Sequence, residues 1–286
     1  MFPEVRNNYH VNLPQKDLPF NADSLLNTIN RLEKDISDGH WLNACYAKTD
    51  LKLMPAMVEQ ANQKNPGLNL TFVTNPNELA ISIKNILPEY KSARFIVNMG
   101  ERGIHFAVVD CRFIDNKSSV ILFEPANCNA IGPALLAVGA STAIEREHIP
   151  DCHFLMAEMD IQRSSSECGI FSLALAKKTY SEFDKLDRIH NDNINGKIAV
   201  DNFNLITSEI ADTYLPVTFY KHSQGEGRIR RYINANPEAE HDAVNKKNEK
   251  ITERFESNSV MLGDKLRSVS AHKKRIIEYT SVLKAL

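Results

Sequence analysis

The nineteen residues DIQRSSSECGIFSLALAKK, Asp160 to Lys178, constrain the fold of this chain more than any other stretch. Small polar residues lead to Glu167-Cys168-Gly169, and an apolar run with Ile170, Phe171, Leu173, Ala174 and Leu175 follows before Lys177 and Lys178. This is the pattern of a loop feeding a helix, with Cys168 at or near the helix N-terminus. The first N–H groups of a helix lack partners within it and lie at the positive end of the macrodipole, so the place favours an anion. A thiol held there loses its proton more readily, and the thiolate is the reactive form. Gly169 is expected to leave room for a substrate beside the backbone. The alternative is an inert, buried cysteine that opens a core helix.

Composition narrows the classes. With 286 residues, 43% of them hydrophobic and 24% charged, the chain makes one large domain or two small ones and buries a full core without staples. Five cysteines, an odd number with no CxxC, argue against a disulfide framework and against a zinc site, so no metal is expected. No run of 18 apolar residues exists, which predicts no membrane span. Residues 1–20 read as a flexible leader without the apolar segment of a Sec signal. The net charge of −2 is uneven: Val217 to Leu286 holds 14 Lys/Arg and 9 Asp/Glu, an excess of +5, and the remainder carries −7. The basic C-terminal quarter suggests an anionic partner, with a solvated helical surface as the alternative.

Periodicity gives an α+β chain. Helices are predicted over Asn21–Asp38, Leu53–Lys64, Asn75–Leu87 and Pro133–Glu147. LNLTFV (Leu68–Val73) alternates as a strand. RFIVNM (Arg94–Met99), IHFAVVD (Ile104–Asp110) and SSVILFE (Ser118–Glu124), separated by turn-like GERG and CRFIDNK, predict an antiparallel meander. HFLMAEMD (His153–Asp160) is a further strand leading to the Cys168 loop. Leu215–Gln224 reads as strand-like, Arg228–Asn236 and Asn245–Phe255 as helices, and Leu266–Leu286 as a closing helix.

A nucleophilic cysteine needs a base and a group to orient that base. His105 lies in the IHFAVVD segment, and Glu124 ends the apolar run VILF, where a carboxylate is expensive to bury unless paired. Hairpin pairing of their strands would bring Glu124 beside the His105 ring. Gln162, six residues before Cys168, is a candidate donor to a developing oxyanion, together with N–H groups at the helix start. Taken separately, each has an ordinary structural explanation; together they describe a nucleophilic site.

The blocks NMGERGIHFAVVD, ILFEPAN, DCHF, EMDIQRSSSECGIFSLALAKK, LPVTFYKH, VNKKNE and SAHKKRIIEY resemble the YopJ family of bacterial type III secretion effectors from about Asn21 to Leu286. The resemblance puts the family's catalytic histidine, glutamate and cysteine on His105, Glu124 and Cys168. It implies a core like that of Ulp1-like cysteine proteases, a mixed or antiparallel sheet packed on the nucleophile helix, with an added helical regulatory layer. The corresponding division is a secretion leader (1–20), a catalytic core (21–190), a regulatory and cofactor-binding region (191–265) and a C-terminal helix packing back on the core (266–286). The implied activity is acetyl transfer from acetyl-CoA to Ser, Thr or Lys of host proteins such as MAP kinase kinases, in the host cytoplasm. The implied activator is inositol hexakisphosphate. CoA contacts would fall on His105, Arg163, Ser164, Arg254, Phe255, Glu256, Ser257 and Gly263, with Arg254 on phosphate and Phe255 stacked on adenine. The inositol phosphate would meet Lys178, Thr179, Tyr180, Ser181, Lys221, His222, Ser223 and Gln224, and no nucleic-acid partner is implied. Two rival functions stay open at this point: a cysteine protease or deubiquitinase using the same three residues, and a non-catalytic protein that occludes kinases.

Overall fold

The computed structural model describes residues 21–86, 91–200 and 204–286; the leader and the expected helix end at Leu87 lie outside them. The fold is α+β, as expected. Six strands, β1 (Leu70–Val73), β2 (Ser92–Asn98), β3 (Phe106–Ile114), β4 (Lys117–Glu124), β5 (Cys152–Glu158) and β6 (Leu205–Ile206), form one sheet in sequence order. The β2–β3–β4 meander is antiparallel, whereas β1 joins β2, β5 joins β4 and β6 joins β5 in parallel. The turn expected over CRFIDNK contracts to Asp115-Asn116, both at positive φ, so β3 continues through Ile114. Two consecutive left-handed residues match the right-handed twist of the flanking strands, and Asn and Asp tolerate that conformation.

Because side chains alternate across a strand, the sheet buries two separate faces. Phe106, Val108, Ile121, Phe123 and Leu155 point to one core, while Ala107, Val109, Val120, Leu122 and Met156 point to the other. The second face is covered by α3 (Pro76–Ile86) and α4 (Ile131–Arg146). The first is covered by α5 (Cys168–Ser181), itself flanked by α2 (Ala47–Lys64) and by a C-terminal helix over Ser270–Leu283 that also lies against α1 (Ala22–Ser37). Enclosure from several sides explains why α5 is apolar nearly all round its first three turns.

Between β6 and the C-terminal helix the structure departs from the sequence pattern. Leu215–Gln224 is no strand: Val217–Tyr220 forms a 3₁₀ turn after Pro216, with Val217 and Phe219 buried in the first core and Phe219 against Phe123. Of Asn245–Phe255 only Ile251–Glu256 is helical, because Asn245 Oδ1 accepts the N–H groups of Lys247 and Glu249 and holds a turn instead. A two-stranded hairpin, β7 (Ser259–Leu262) and β8 (Lys265–Ser268), occupies the expected start of the last helix. Glu226–Ala235 is helical as expected. The short helices over Asp187–Ile194, Ser208–Asp212, Glu226–Ala235 and Ile251–Glu256 are α6 to α9, and the C-terminal helix is α10.

The contact of α10 with the rest is polar and buried. Arg275 donates from Nε and Nη2 to the two oxygens of Asp50 on α2 (3.1 and 2.9 Å) and from Nη2 to the Ser166 carbonyl (2.6 Å). Its Nη1 reaches Glu167 Oε1 at 3.5 Å, and Tyr279 donates its hydroxyl to Asp50 at 2.7 Å. Arg275, Asp50 and Glu167 are all buried; burial opposes the guanidinium charge, but Asp50 and Glu167 together hold it protonated. Asp50 also fills the space over Gly169: a Cβ there would lie 3.0 Å from Asp50 Oδ2. The lack of a side chain at Gly169 therefore admits a carboxylate of α2, not a substrate. Replacing Arg275 by Ala strands two buried carboxylates, and the expected loss is about 3–5 kcal/mol by chemical denaturation. A loss near that of a surface substitution would show that the network does not hold α10.

Candidate active site

His105, Glu124 and Cys168 come from three elements that end at the same edge of the sheet. His105 is the residue before β3, not within it, and its carbonyl accepts the Met99 N–H across the turn built on Gly100 and Gly103, both at positive φ. Glu124 is the last residue of β4, and Cys168 the first of α5. His105 Nε2 donates to Glu124 Oε2 at 2.8 Å, and Glu124 Oε1 accepts the Ala126 N–H at 2.8 Å. A fully buried carboxylate thus has a partner on each oxygen, as burial demands. With Nε2 engaged, Nδ1 is the ring nitrogen left for Cys168. Burial pushes the imidazole down, but Glu124 and the hydrogen-bonding interaction with Cys168 outweigh it and raise His105 to about 10. At neutral pH the ring is an imidazolium beside the sulfur.

The loop before Cys168 is held from outside. Gln224 Oε1 accepts the backbone N–H groups of Arg163 (2.5 Å) and Ser164 (2.9 Å), and its Nε2 donates to Glu167 Oε2. Its own N–H bonds the Ile161 carbonyl at 2.9 Å. Glu167 also accepts from Ser164 Oγ at 2.8 Å and pairs with His272 Nδ1 at 3.2 Å. His272 reaches the Leu32 carbonyl through Nε2 at 3.1 Å. Gln162 is buried, and its Nε2 donates to the Ser164 carbonyl at 2.7 Å, which uses one of its two amide hydrogens.

Comparison with known proteins agrees with this geometry. The sequence model of the YopJ Serine/Threonine acetyltransferase family matches residues 25–281. The chain is 56% identical to the serine/threonine-protein acetyltransferase YopJ of Yersinia pestis over 263 residues, 92% of this chain and 91% of that protein. A solved structure of an AvrA deletion variant with IP6 and CoA superposes with a TM-score of 0.87 at 55% identity, covering 92% of this chain and 99% of that one. HopZ1a in complex with IP6 and CoA shares the fold, with a TM-score of 0.76 at 20% identity over 90% of this chain and 92% of that one.

The chain belongs to the YopJ serine/threonine acetyltransferase family.

In this YopJ-family chain the residues expected to touch ligands divide into those that face outward and those that do not. Arg163 is forked onto Asp160 (2.8 and 3.1 Å) beside the catalytic loop. Arg254 lies near Glu249 Oε2 at 3.4 Å and donates to Ser270 Oγ at 3.3 Å, while its Nε is buried without a partner. Phe255 is buried in the core beside Ile251, so its ring is not offered for adenine stacking. Glu256 and Ser257 are exposed, and Gly263 sits at positive φ in the open tip of the β7–β8 hairpin. Among the residues expected to meet the inositol phosphate, Thr179 bonds the Ala176 carbonyl, Tyr180 the Pro66 carbonyl and Ser181 the Lys178 carbonyl. Ser223 and Gln224 are buried, and Gln224 is used by the catalytic loop. Lys178, Lys221 and His222 line one cavity, joined by Lys177 and Lys274.

That cavity lacks negative charge. Glu278 serves both Lys177 (2.6 Å) and Lys274 (2.7 Å), and Glu182 serves both Lys178 (3.8 Å) and Lys185 (3.0 Å). Among the described residues Lys221 has no carboxylate partner within ion-pair distance. Burial, then Arg254, Lys178 and Lys274, push Lys221 down to about 8, and burial and the same cations hold His222 well below the usual histidine range. Asp50, Glu167, His272 and Arg275 are the site-supporting residues that the sequence reading missed. In a sequence each reads as a charge on a helix or a loop, and no spacing rule marks it as buried.

Replacing Glu124 by Gln removes the anion that raises the His105 value and leaves burial to act alone. NMR titration of the ring is expected to move its midpoint from about 10 to below its ordinary 6.5. The sign for stability follows: the folded-state value exceeds that of the unfolded chain, so the pair's contribution is complete below pH 6.5 and is lost as pH rises through about 10.

Proposed function

We propose that Cys168 carries an acetyl group from acetyl-CoA to serine, threonine or lysine side chains of host signalling proteins, in two steps. The observation that supports this most is the charged His105–Glu124 pair at the N-terminus of the helix that Cys168 begins. The Cys168 thiolate attacks the thioester carbonyl. N–H groups of the first turn of α5, with the remaining amide hydrogen of Gln162, stabilise the oxyanion. The carbon–sulfur bond to CoA breaks, and the departing thiolate takes its proton from His105. The ring, now neutral and held by Glu124, accepts the proton of the acceptor hydroxyl or amine as that atom attacks the acetyl-cysteine, and the free Cys168 is restored.

Acetyl-CoA would lie toward Arg163, Ser164, Arg254, Glu256, Ser257 and Gly263, with Arg254 the strongest phosphate partner, since its buried Nε lacks one. The basic cavity of Lys177, Lys178, Lys221, His222 and Lys274 fits a compact polyanion, and inositol hexakisphosphate is the activator proposed for it. Secretion by a type III system into the host cell, with MAP kinase kinases as acceptors, completes the reading. No helix among the described residues is long and apolar enough to cross a membrane.

Mass spectrometry decides between transfer and cleavage. With acetyl-CoA and inositol hexakisphosphate, a MAP kinase kinase should gain acetyl groups with its chain intact, and Cys168→Ala should abolish the gain. A cut chain or isopeptide bond would favour the protease, and full inhibition of a kinase by Cys168→Ala would favour occlusion. The polyanion should also draw a proton onto Lys221. Calorimetry at pH 8 should show proton uptake, measured as a dependence of heat on buffer ionisation, which vanishes at pH 6 where Lys221 is already charged. Equal heats in all buffers at pH 8 would remove the polyanion from this cavity.

A further inference from the structure

From Pro125 to Ile144 the sequence has no acidic, basic or histidine side chain, although the second half of the segment is a surface helix. Pro133, Leu136, Ala137, Ala140, Ala143 and Ile144 of α4 face the core. Ile131, Leu135 and Val138 face solvent, with exposures of 78%, 38% and 47%. The spacing i, i+4, i+7 places these three in one stripe, about 10 Å long at the helical rise. A surface helix ordinarily places charged or polar residues along such a line, and an uncovered apolar stripe marks an interaction surface.

Its position identifies what covers it. The first turn of α4 lies on the catalytic base: a Cβ on Gly132 would stand 3.5 Å from both Cβ and Cγ of His105. The stripe begins at Ile131, next to that contact, and runs away from the site. A protein acceptor that brings a hydroxyl to His105 must cover this rim. A second copy of the chain seated on the stripe would block the same approach. Resting on the acetyl-transfer reading above, we propose that the outer face of α4 docks the acceptor protein. Ile131, Leu135 and Val138 receive apolar side chains that flank the modified residue. The stripe offers no charge to an acidic or basic flank, so acceptors with apolar neighbours are favoured.

The test uses the full chain, activated by inositol hexakisphosphate, and synthetic peptides with one serine flanked on both sides by leucine, glutamate or lysine. Two variants, Leu135→Lys/Val138→Lys and Leu135→Ser/Val138→Ser, are compared with the unaltered protein. Release of CoA with water as acceptor reports the first half-reaction, which does not need the docking surface. The unaltered protein should prefer leucine flanks. Both variants should release CoA at the unaltered rate yet show KM for the leucine peptide raised about tenfold, the scale of losing one well-packed contact. The lysine variant should turn its preference to glutamate flanks. An unmoved KM and an unmoved preference in the serine variant, which is the milder change at exposed positions, would overturn the docking surface. So would a concentration-dependent dimer of the unaltered protein that both variants abolish. Absence of CoA release from the unaltered protein would instead overturn the acetyl-transfer reading itself.

Discussion

A single carboxylate next to the nucleophile fixes the geometry on which the rest of the site relies. Glu167 is buried and bonded on both oxygens: to Ser164 and Gln224 through one, to His272 and Arg275 through the other. These partners belong to the catalytic loop, to the segment after the 3₁₀ turn and to α10, so one residue joins three stretches of chain. Desolvating a carboxylate is costly, and only this full set of donors makes the burial tolerable. Arg275 passes the constraint to Asp50 on α2, and Asp50 occupies the space above Gly169. The start of α5 is thereby held from before and behind, and the sulfur has one position relative to the His105 ring.

The same arrangement links the basic cavity to the chemistry. Lys221 and His222 line the cavity, and two residues further on Gln224 bonds the N–H groups of Arg163 and Ser164. Without an anion the cavity holds cations in mutual repulsion, which shows in the lowered values of Lys177, Lys178 and Lys221, to which burial contributes most. An anion that relieves this repulsion favours the arrangement in which Lys178 of α5, Lys221 and Lys274 of α10 converge. By linkage it favours whatever that arrangement holds in place. The covalent path from Lys221 to the catalytic loop is three residues and one amide. No long chain of contacts is required to connect the two sites.

Much of this was legible in the sequence because it rests on local pattern. The alternation of RFIVNM, IHFAVVD and SSVILFE specifies the meander, and hairpin pairing brings Glu124 to the edge where His105 stands. Cys168 opens its helix because small polar residues stop where the apolar run begins. What was not legible depends on burial without periodicity. In Leu215–Gln224 the alternation of Val217 and Phe219 imitates a strand, yet the 3₁₀ turn after Pro216 sends both into the core. In SAHKKRIIEY the cationic residues resemble a solvated face, while His272 and Arg275 are the buried ones and Lys273 is exposed. Their partners lie more than a hundred residues away, and a lone sequence holds no record of such pairings. Gly169 shows the same limit: its smallness was readable, but the side chain that needs the room was not.

The position of α4 bears on why a site of this chemistry would transfer an acyl group to a protein instead of losing it to water. An acetyl-cysteine is open to attack by any nucleophile that His105 can deprotonate, and water is the most abundant. Glu124 and the sulfur are enclosed by the sheet and α5, whereas the His105 ring retains a small exposed edge. That edge lies beneath the first turn of α4, at the start of the uncharged stripe. An acceptor seated on apolar side chains removes water from the rim as it delivers its hydroxyl, so the event that supplies the correct nucleophile also excludes the competing one. A charged rim would hold water in place and forfeit that advantage. Apolar character at an exposed helix, otherwise a liability for solubility, is in this position a means of choosing between acceptors.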